Sequence, residues 1–360
     1  MYVHAFPFVL NKTVDINRLR AAWERTIQYF STLRTSFHFV ENMGTWIQAV
    51  HSLYHVNWEE MNVAEGKSNL VLSEEFIKEL DLSSERKLAR PPVFVRILRP
   101  DTGTSTGYTL LLVLHHALYD GISVSRLSEI ARAFYWSEQP TPSTQFVDLL
   151  GYFEYQELHG TEFWVRQLRG FKRPTLQPKS GDGMYSDSVS STAEIPISVA
   201  RMSKACQHLE VTVQCFGQAA FASCLAKVYN RRDLVYGHVV SGRSVPHAED
   251  VLGPMIVRGA LSFENTHNNN VYFQSTLPCR THIPASIRNL DFVRAIHRHN
   301  MAAQRWQHAS LRSIHRKVGL SSLWDAIFLF QPVVDDDSDR QDILWSFDES
   351  ENEIARIQVS

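Results

Sequence analysis

The sequence predicts an α/β protein built as two lobes, and three observations carry that expectation. A chain of 360 residues with 44% hydrophobic content can enclose more than one core. Short runs rich in β-branched and aromatic residues alternate with stretches whose apolar residues recur at helical spacing. A segment of Pro, Gly, Ser and charge from Gly170 to Ser191 then interrupts the pattern, which resumes in kind beyond it.

Taken in order, VDINRLRAAWERTIQYF places Leu19, Ala22, Trp23, Thr26, Ile27 and Phe30 on one helical face, with Asp15 set to cap the start. LRTSFHFV and TWIQAV read as strands around the turn signal ENMG. YTLLLVL is a buried strand, and SVSRLSEIARAFYW follows with Val124, Leu127, Ile130, Ala131 and Phe134 at helical spacing. FVDLLGYFEYQ to FWVRQL is a further helical stretch before the Gly170–Ser191 linker. Beyond it come the helix TVQCFGQAAFASCLAKVY, the strand DLVYGHVVSG, the helix DFVRAIHRHNMAAQRW and the strand LWDAIFLF. The lobes are expected at 1–175 and 176–360.

A formal charge of -2 gives no overall attraction for nucleic acid or an anionic membrane, and neither is an expected partner. The longest apolar runs, such as Thr109–Leu114, fall well short of the ~20 residues that cross a bilayer. The opening residues lack the pattern of a secretory signal, so a cytoplasmic location is expected. The four cysteines form no CxxC pair; buried free thiols are expected rather than disulfides or zinc.

The chemistry concentrates in LHHALYDGIS, Leu114 to Ser123, where the chain crosses from a strand into a helix. That position suits a proton acceptor: His116 at the strand end would meet a crevice, and an imidazole is largely neutral near pH 7. N–H groups around Gly121 to Ser123 could meet charge developing on a carbonyl oxygen. Acyl transfer needs both parts. No GxSxG elbow or reactive-cysteine pattern is present, so direct attack of one substrate on another fits better than a covalent enzyme intermediate. Two adjacent histidines can equally serve only local carbonyls, and a metal would need further donors; His4 and His315 exist, but no spacing points to them.

HHALYDGIS resembles the HHxxxDG signature of condensation domains of nonribosomal peptide synthetases, and neighbouring segments agree in order. LRTSF at Leu33–Phe37 resembles that family's LRTxF, EFWVRQLRGF its FWxxxL stretch, and VVSGRS the strand and turn bearing its arginine. VLGPMI at Val251–Ile256 with STLPCR at Ser275–Arg280 resembles the GPxxNTLPxR segment of fungal members. QHASLRSIHRKVG is similar to a variant in fungal siderophore synthetases.

The resemblance implies two chloramphenicol acetyltransferase-like lobes, each a mixed sheet covered by helices, forming a V-shaped pseudo-dimer. It further implies condensation: the amine of a carrier-bound aminoacyl group attacks a carrier-bound acyl or peptidyl thioester. No cofactor is bound directly; the substrates ride on the 4'-phosphopantetheine of carrier proteins, and adenylation domains are neighbours. His116 is implied as base or orienting acceptor, and His115 as structural. Asp120 is implied to hold Arg243, Gly121 to allow close backbone approach, and Arg34 to serve the first lobe's polar network. An inactive remnant and a stand-alone HxxxD acyl-CoA-dependent acyltransferase are the alternatives.

Departures accompany the likeness. The opening MYVHAFPFVL resembles the segment after the family's SxAQxRLW motif, so the first element is expected to be missing. No closing RDxSRNPL segment follows. Val257–Gln274, VRGALSFENTHNNNVYFQ, splits a segment whose halves otherwise join as GPMISTLPCR. Its ends can be encoded like splice sites, so it reads either as a retained intron or as an inserted surface loop.

Overall fold

A computed structural model describes residues 3–64, 67–81, 88–101, 107–173, 191–193, 196–245, 248, 250–255, 275–320, 322–330 and 344–347. The heart of the Gly170–Ser191 linker and all of Val257–Gln274 lie outside the described residues. Chain contacts define two compact units, each with its own core. One comprises Met1–Leu150, Pro246–Pro254 and Asp335–Ala355; the other comprises Gly151–Val245, Met255–Val334 and Arg356–Ser360.

In the first unit the described elements are β1 (Val3–Leu10), α1 (Ile16–Tyr29), β2 (Thr35–Val40), β3 (Thr45–Val50), β4 (Trp58–Val63), α2 (Asn69–Leu80), β5 (Val93–Pro100), β6 (Thr109–His115), α3 (Ser123–Tyr135) and β10 (Trp345–Phe347). Five strands form a mixed sheet in the order β10-β1-β6-β5-β4, antiparallel except for the β4–β5 pair. β2 and β3 make a separate hairpin, turning at Gly44 with φ 58°. That left-handed backbone suits glycine, which has no Cβ to clash.

β6 explains why TLLLVL lacks alternation: it is buried along its whole length. Leu110, Leu112 and Leu114 join one core with Leu19, Trp23 and Ile27 of α1 and Leu127, Ile130 and Ala131 of α3. Leu111 and Val113 point the other way, into a second core with Leu72 and Phe76 of α2. The face expected of the first helix is the buried face of α1, and Asp15 caps it by accepting from the N–H groups of Asn17 and Arg18 at 2.8 and 3.0 Å. Val124, also expected on the α3 face, is only half-buried.

The second unit contains α4 (Leu150–Leu168), α5 (Val199–Leu209), α6 (Val213–Val228), β7 (Asp233–Val240), β8 (Ser275–His282), α7 (Asn289–Gln304), α8 (Leu311–Val318) and β9 (Ile327–Phe328). Its described strands run β8-β7-β9, with β8 antiparallel and β9 parallel to β7. β7 divides its neighbours as β6 does: Tyr236 packs with Cys215 and Ala219 of α6 and Phe292 and Ile296 of α7, and Val235 packs with Trp164 and Leu168 of α4. Pro278 sits in β8, an edge strand among the described residues, where a missing N–H costs no ladder bond on the open side. All four cysteines are free; Cys206, Cys215 and Cys279 are buried, whereas Cys224, expected inside, is exposed on α6. No described helix is long and apolar enough to cross a membrane.

Candidate active site

β6 delivers its last residue, His115, to the edge of the first core, and the chain then makes one tight turn, His116–Leu118, before Tyr119, Asp120 and α3. The two adjacent histidines adopt opposite hydrogen-bonding roles. His115, buried, uses Nδ1 to accept the N–H of Ala117 at 3.2 Å, which leaves its proton on Nε2. His116, half-buried, has Nδ1 at 3.0 Å from the carbonyl oxygen of Tyr119. A carbonyl can only accept, so Nδ1–H donates and the lone pair of the neutral ring sits on Nε2. The backbone of the turn thus selects the tautomer in which Nε2 is basic.

Asp120 is buried, and one oxygen of its carboxylate closes its own turn. Oδ1 accepts the N–H groups of Ile122 and Ser123 at 3.2 and 3.1 Å and the Ser123 hydroxyl at 2.8 Å. Ser123 Oγ in return accepts the Asp120 N–H at 3.1 Å. These bonds close the start of α3, where the first backbone donors of a helix have no partner within it. They also correct part of one expectation: of the N–H groups around Gly121 to Ser123 expected to meet a developing charge, those of Ile122 and Ser123 already donate to a carboxylate. Gly121 is exposed, has no positive φ, and a Cβ added to it would meet nothing within 4 Å. The VLGP segment reaches the same turn, with the Gly253 N–H donating to Ser123 Oγ at 3.4 Å. Gly253 has φ 154°, and a Cβ there would lie 2.6 Å from the Phe146 ring.

His115, His116, Asp120 and Gly121 therefore share one turn. Arg34 is placed otherwise: its guanidinium donates to the carbonyls of Gln28, at 3.2 Å through Nε, and of His51, tying the end of α1 to the chain beyond β3. Arg243 belongs to the second unit, where it is buried and its N–H donates to Ser241 Oγ at 3.3 Å.

Two residues not singled out for the site join it. Tyr119, buried, stacks its ring on His116 with centroids 4.7 Å apart and planes at 13°. Its hydroxyl bonds Nδ1 of His4 on β1, and the His4 ring meets His116 edge-on at 5.5 Å. Tyr119 stood inside the motif; His4 came into reach through the antiparallel register that pairs it with Leu114, beside the Val3–His115 pair, which no local pattern encodes.

Burial, and next the charge of His116, push both His4 and His115 down to about 4. Unfolding returns each to about 6.5, so between these values the unfolded chain binds protons that the folded chain does not. Their stabilising contribution is complete above pH 6.5 and is lost as pH falls towards 4. Thermal melts from pH 7 to pH 4.5 should show a falling midpoint, with a shallower slope in a His4→Asn variant. Among the described residues, no group of three or more His, Cys, Asp or Glu side chains could hold a metal ion.

Comparison with known proteins gives this turn a context. A family model described as "Condensation domain" matches residues 1–360. The chain is 38% identical over 360 residues to the nonribosomal peptide synthetase NPS2 of Ceriporiopsis subvermispora, covering 99% of this chain and 14% of that protein. It is 35% identical to the coprinoferrin synthetase of Coprinopsis cinerea, covering 99% of this chain and 13% of that protein. The structure of the condensation domain from the monacolin K polyketide synthase MokA shares its fold, with a TM-score of 0.67 at 14% identity over 91% of this chain and 75% of that one.

Proposed function

The chain belongs to the condensation-domain family, and from that premise we propose that it forms an amide between two carrier-bound substrates in nonribosomal peptide synthesis, of the siderophore type. Its fold is the chloramphenicol acetyltransferase-like α/β fold of condensation domains. Because it spans only 14% and 13% of the two synthetases, carrier and adenylation partners are part of the proposal.

The observation that carries the reading is the Tyr119 carbonyl on Nδ1 of His116, because it makes Nε2 the acceptor. In the proposed reaction, Nε2 accepts a hydrogen bond from the attacking amine. The amine lone pair adds to the thioester carbonyl carbon, the C–N bond forms, the C–S bond breaks, and the thiolate leaves with the proton the amine gave up. The donor and acceptor each arrive on a phosphopantetheine arm. Asp120 keeps the turn in shape, with Arg34 and Arg243 as supporting residues.

Gly121 supplies a direct test. Nothing within the described chain requires a glycine here, so a Cβ is tolerated by the fold and opposed only by whatever approaches from outside. Gly121→Ala is expected to leave the melting midpoint within a few degrees and to cut product formation about tenfold or more, since one misplaced reactant costs on that scale. The assay incubates the chain with two carrier domains loaded with aminoacyl thioesters and reads amide product by mass spectrometry. A Gly121→Ala variant as active as the parent would oppose the reading. Product from acyl-CoA in place of the donor carrier would point to a stand-alone acyltransferase.

A further inference from the structure

We propose that Tyr119 and His4 are positioning residues for His116, holding its imidazole in one orientation and one tautomer through a stacked ring, a hydroxyl and a backbone carbonyl. The inference rests on the reading of His116 as the acceptor for the amine.

Tyr119 touches His116 twice, by independent parts. Its carbonyl takes the Nδ1 proton at 3.0 Å, and its ring lies nearly parallel to the imidazole, 4.7 Å away. For both contacts to hold, the Tyr119 ring must itself be fixed, and β1 fixes it. Phe6 packs edge-on against the phenol at 5.2 Å and 88°, and His4 Nδ1 bonds its hydroxyl. The proton of that bond belongs to tyrosine, because burial pushes the phenol's ionisation far up and keeps His4 a neutral acceptor. His4 then closes the arrangement edge-on against His116 at 5.5 Å and 69°.

Packing alone does not ask for this. A phenylalanine at 119 would fill the same space without burying a hydroxyl, and an apolar residue at 4 would need no partner; a buried polar pair is costly unless its bond is made. What the pair adds is direction. The hydroxyl fixes the rotation of the Tyr119 ring, hence the plane on which His116 lies. The electron-rich phenol face also favours an imidazolium above it, the species formed if His116 takes the amine's proton. Titratable side chains face His116 from two strands and its own turn: His4 of β1 and Tyr119 touch its ring, and His115 of β6 feels its charge.

The test uses the full chain with Tyr119→Phe and His4→Asn made separately, so that either folded variant decides. The primary readout is the ¹⁵N spectrum of the His116 imidazole across pH, which needs no substrate. In the parent it should report the Nδ1–H tautomer; in each variant the tautomers should mix, or the titration midpoint should move by about half a unit or more. In the carrier assay, kcat should fall about three- to tenfold with KM unchanged, the scale of up to one unit in an acceptor's basicity. An unchanged tautomer and midpoint in a folded variant overturns the inference. If the variants shift the His116 spectrum but the parent forms no amide, the positioning role stands and the proposed function falls.

Discussion

Replacing His116 with alanine is expected to lower amide formation by about 10²- to 10⁴-fold, the range over which a positioned acid or base contributes. The fold should survive. The side chain is half-buried, and the contacts it gives up include the hydrogen bond to the Tyr119 carbonyl, the ring stack and the edge contact with His4, together worth about 2 kcal/mol. A second variant separates the two roles left open for this residue. His116→Gln keeps a polar acceptor near the amine and cannot take its proton at neutral pH. If His116 only orients the amine, glutamine retains most of the rate that alanine loses; if it is the base, glutamine falls with alanine. The measurement is product per minute in the two-carrier assay, with melting midpoints recorded alongside. Alanine and parent turning over at the same rate would remove His116 from the chemistry.

Much of this site was legible because it lies in consecutive residues. HHALYDG has to bridge a buried strand and an amphipathic helix, so its place at the strand end followed from the period change alone. Asp15 and the α1 face were equally local, and all of the expected apolar positions of that helix are buried. What stayed hidden was long-range or unlike its element. β1 carries Pro7, a residue that argues against a strand, yet Pro7 pairs with Leu111 on one side, while on the other the described β10 pairing begins only at Phe8. β4, WEEMNV, offers no apolar run because it is an edge strand among the described residues. Its carboxylates answer arginines of neighbouring elements: Glu59 lies 2.6 Å from Arg96 of β5, and Glu60 pairs with Arg20 of α1. The same holds for the site. Asp120 and Gly121 announced themselves by sequence, whereas His4 became part of it only through strand pairing across more than a hundred residues.

Asp120 has two roles to separate, the cap that the turn shows and the charge that the resemblance implies, and two substitutions tell them apart. The resemblance implies a charge that holds Arg243; the turn shows an oxygen that accepts three hydrogen bonds at the start of α3. Asp120→Ala strands the N–H groups of Ile122 and Ser123 and the Ser123 hydroxyl in a buried turn. Loss of a helix cap together with unsatisfied donors should lower stability by about 2–3 kcal/mol. The turn that presents His116 loosens with it, so a rate loss of about tenfold or more is expected as well. Asp120→Asn retains an acceptor oxygen at the same position, and asparagine caps helices about as well as aspartate. Its stability should therefore lie within about 1 kcal/mol of the parent in urea unfolding. Any rate it still loses reports on the charge alone, the part that the expected contact with Arg243 would need. An asparagine variant as unstable as alanine would mean that the cap is secondary and that the negative charge holds this turn together.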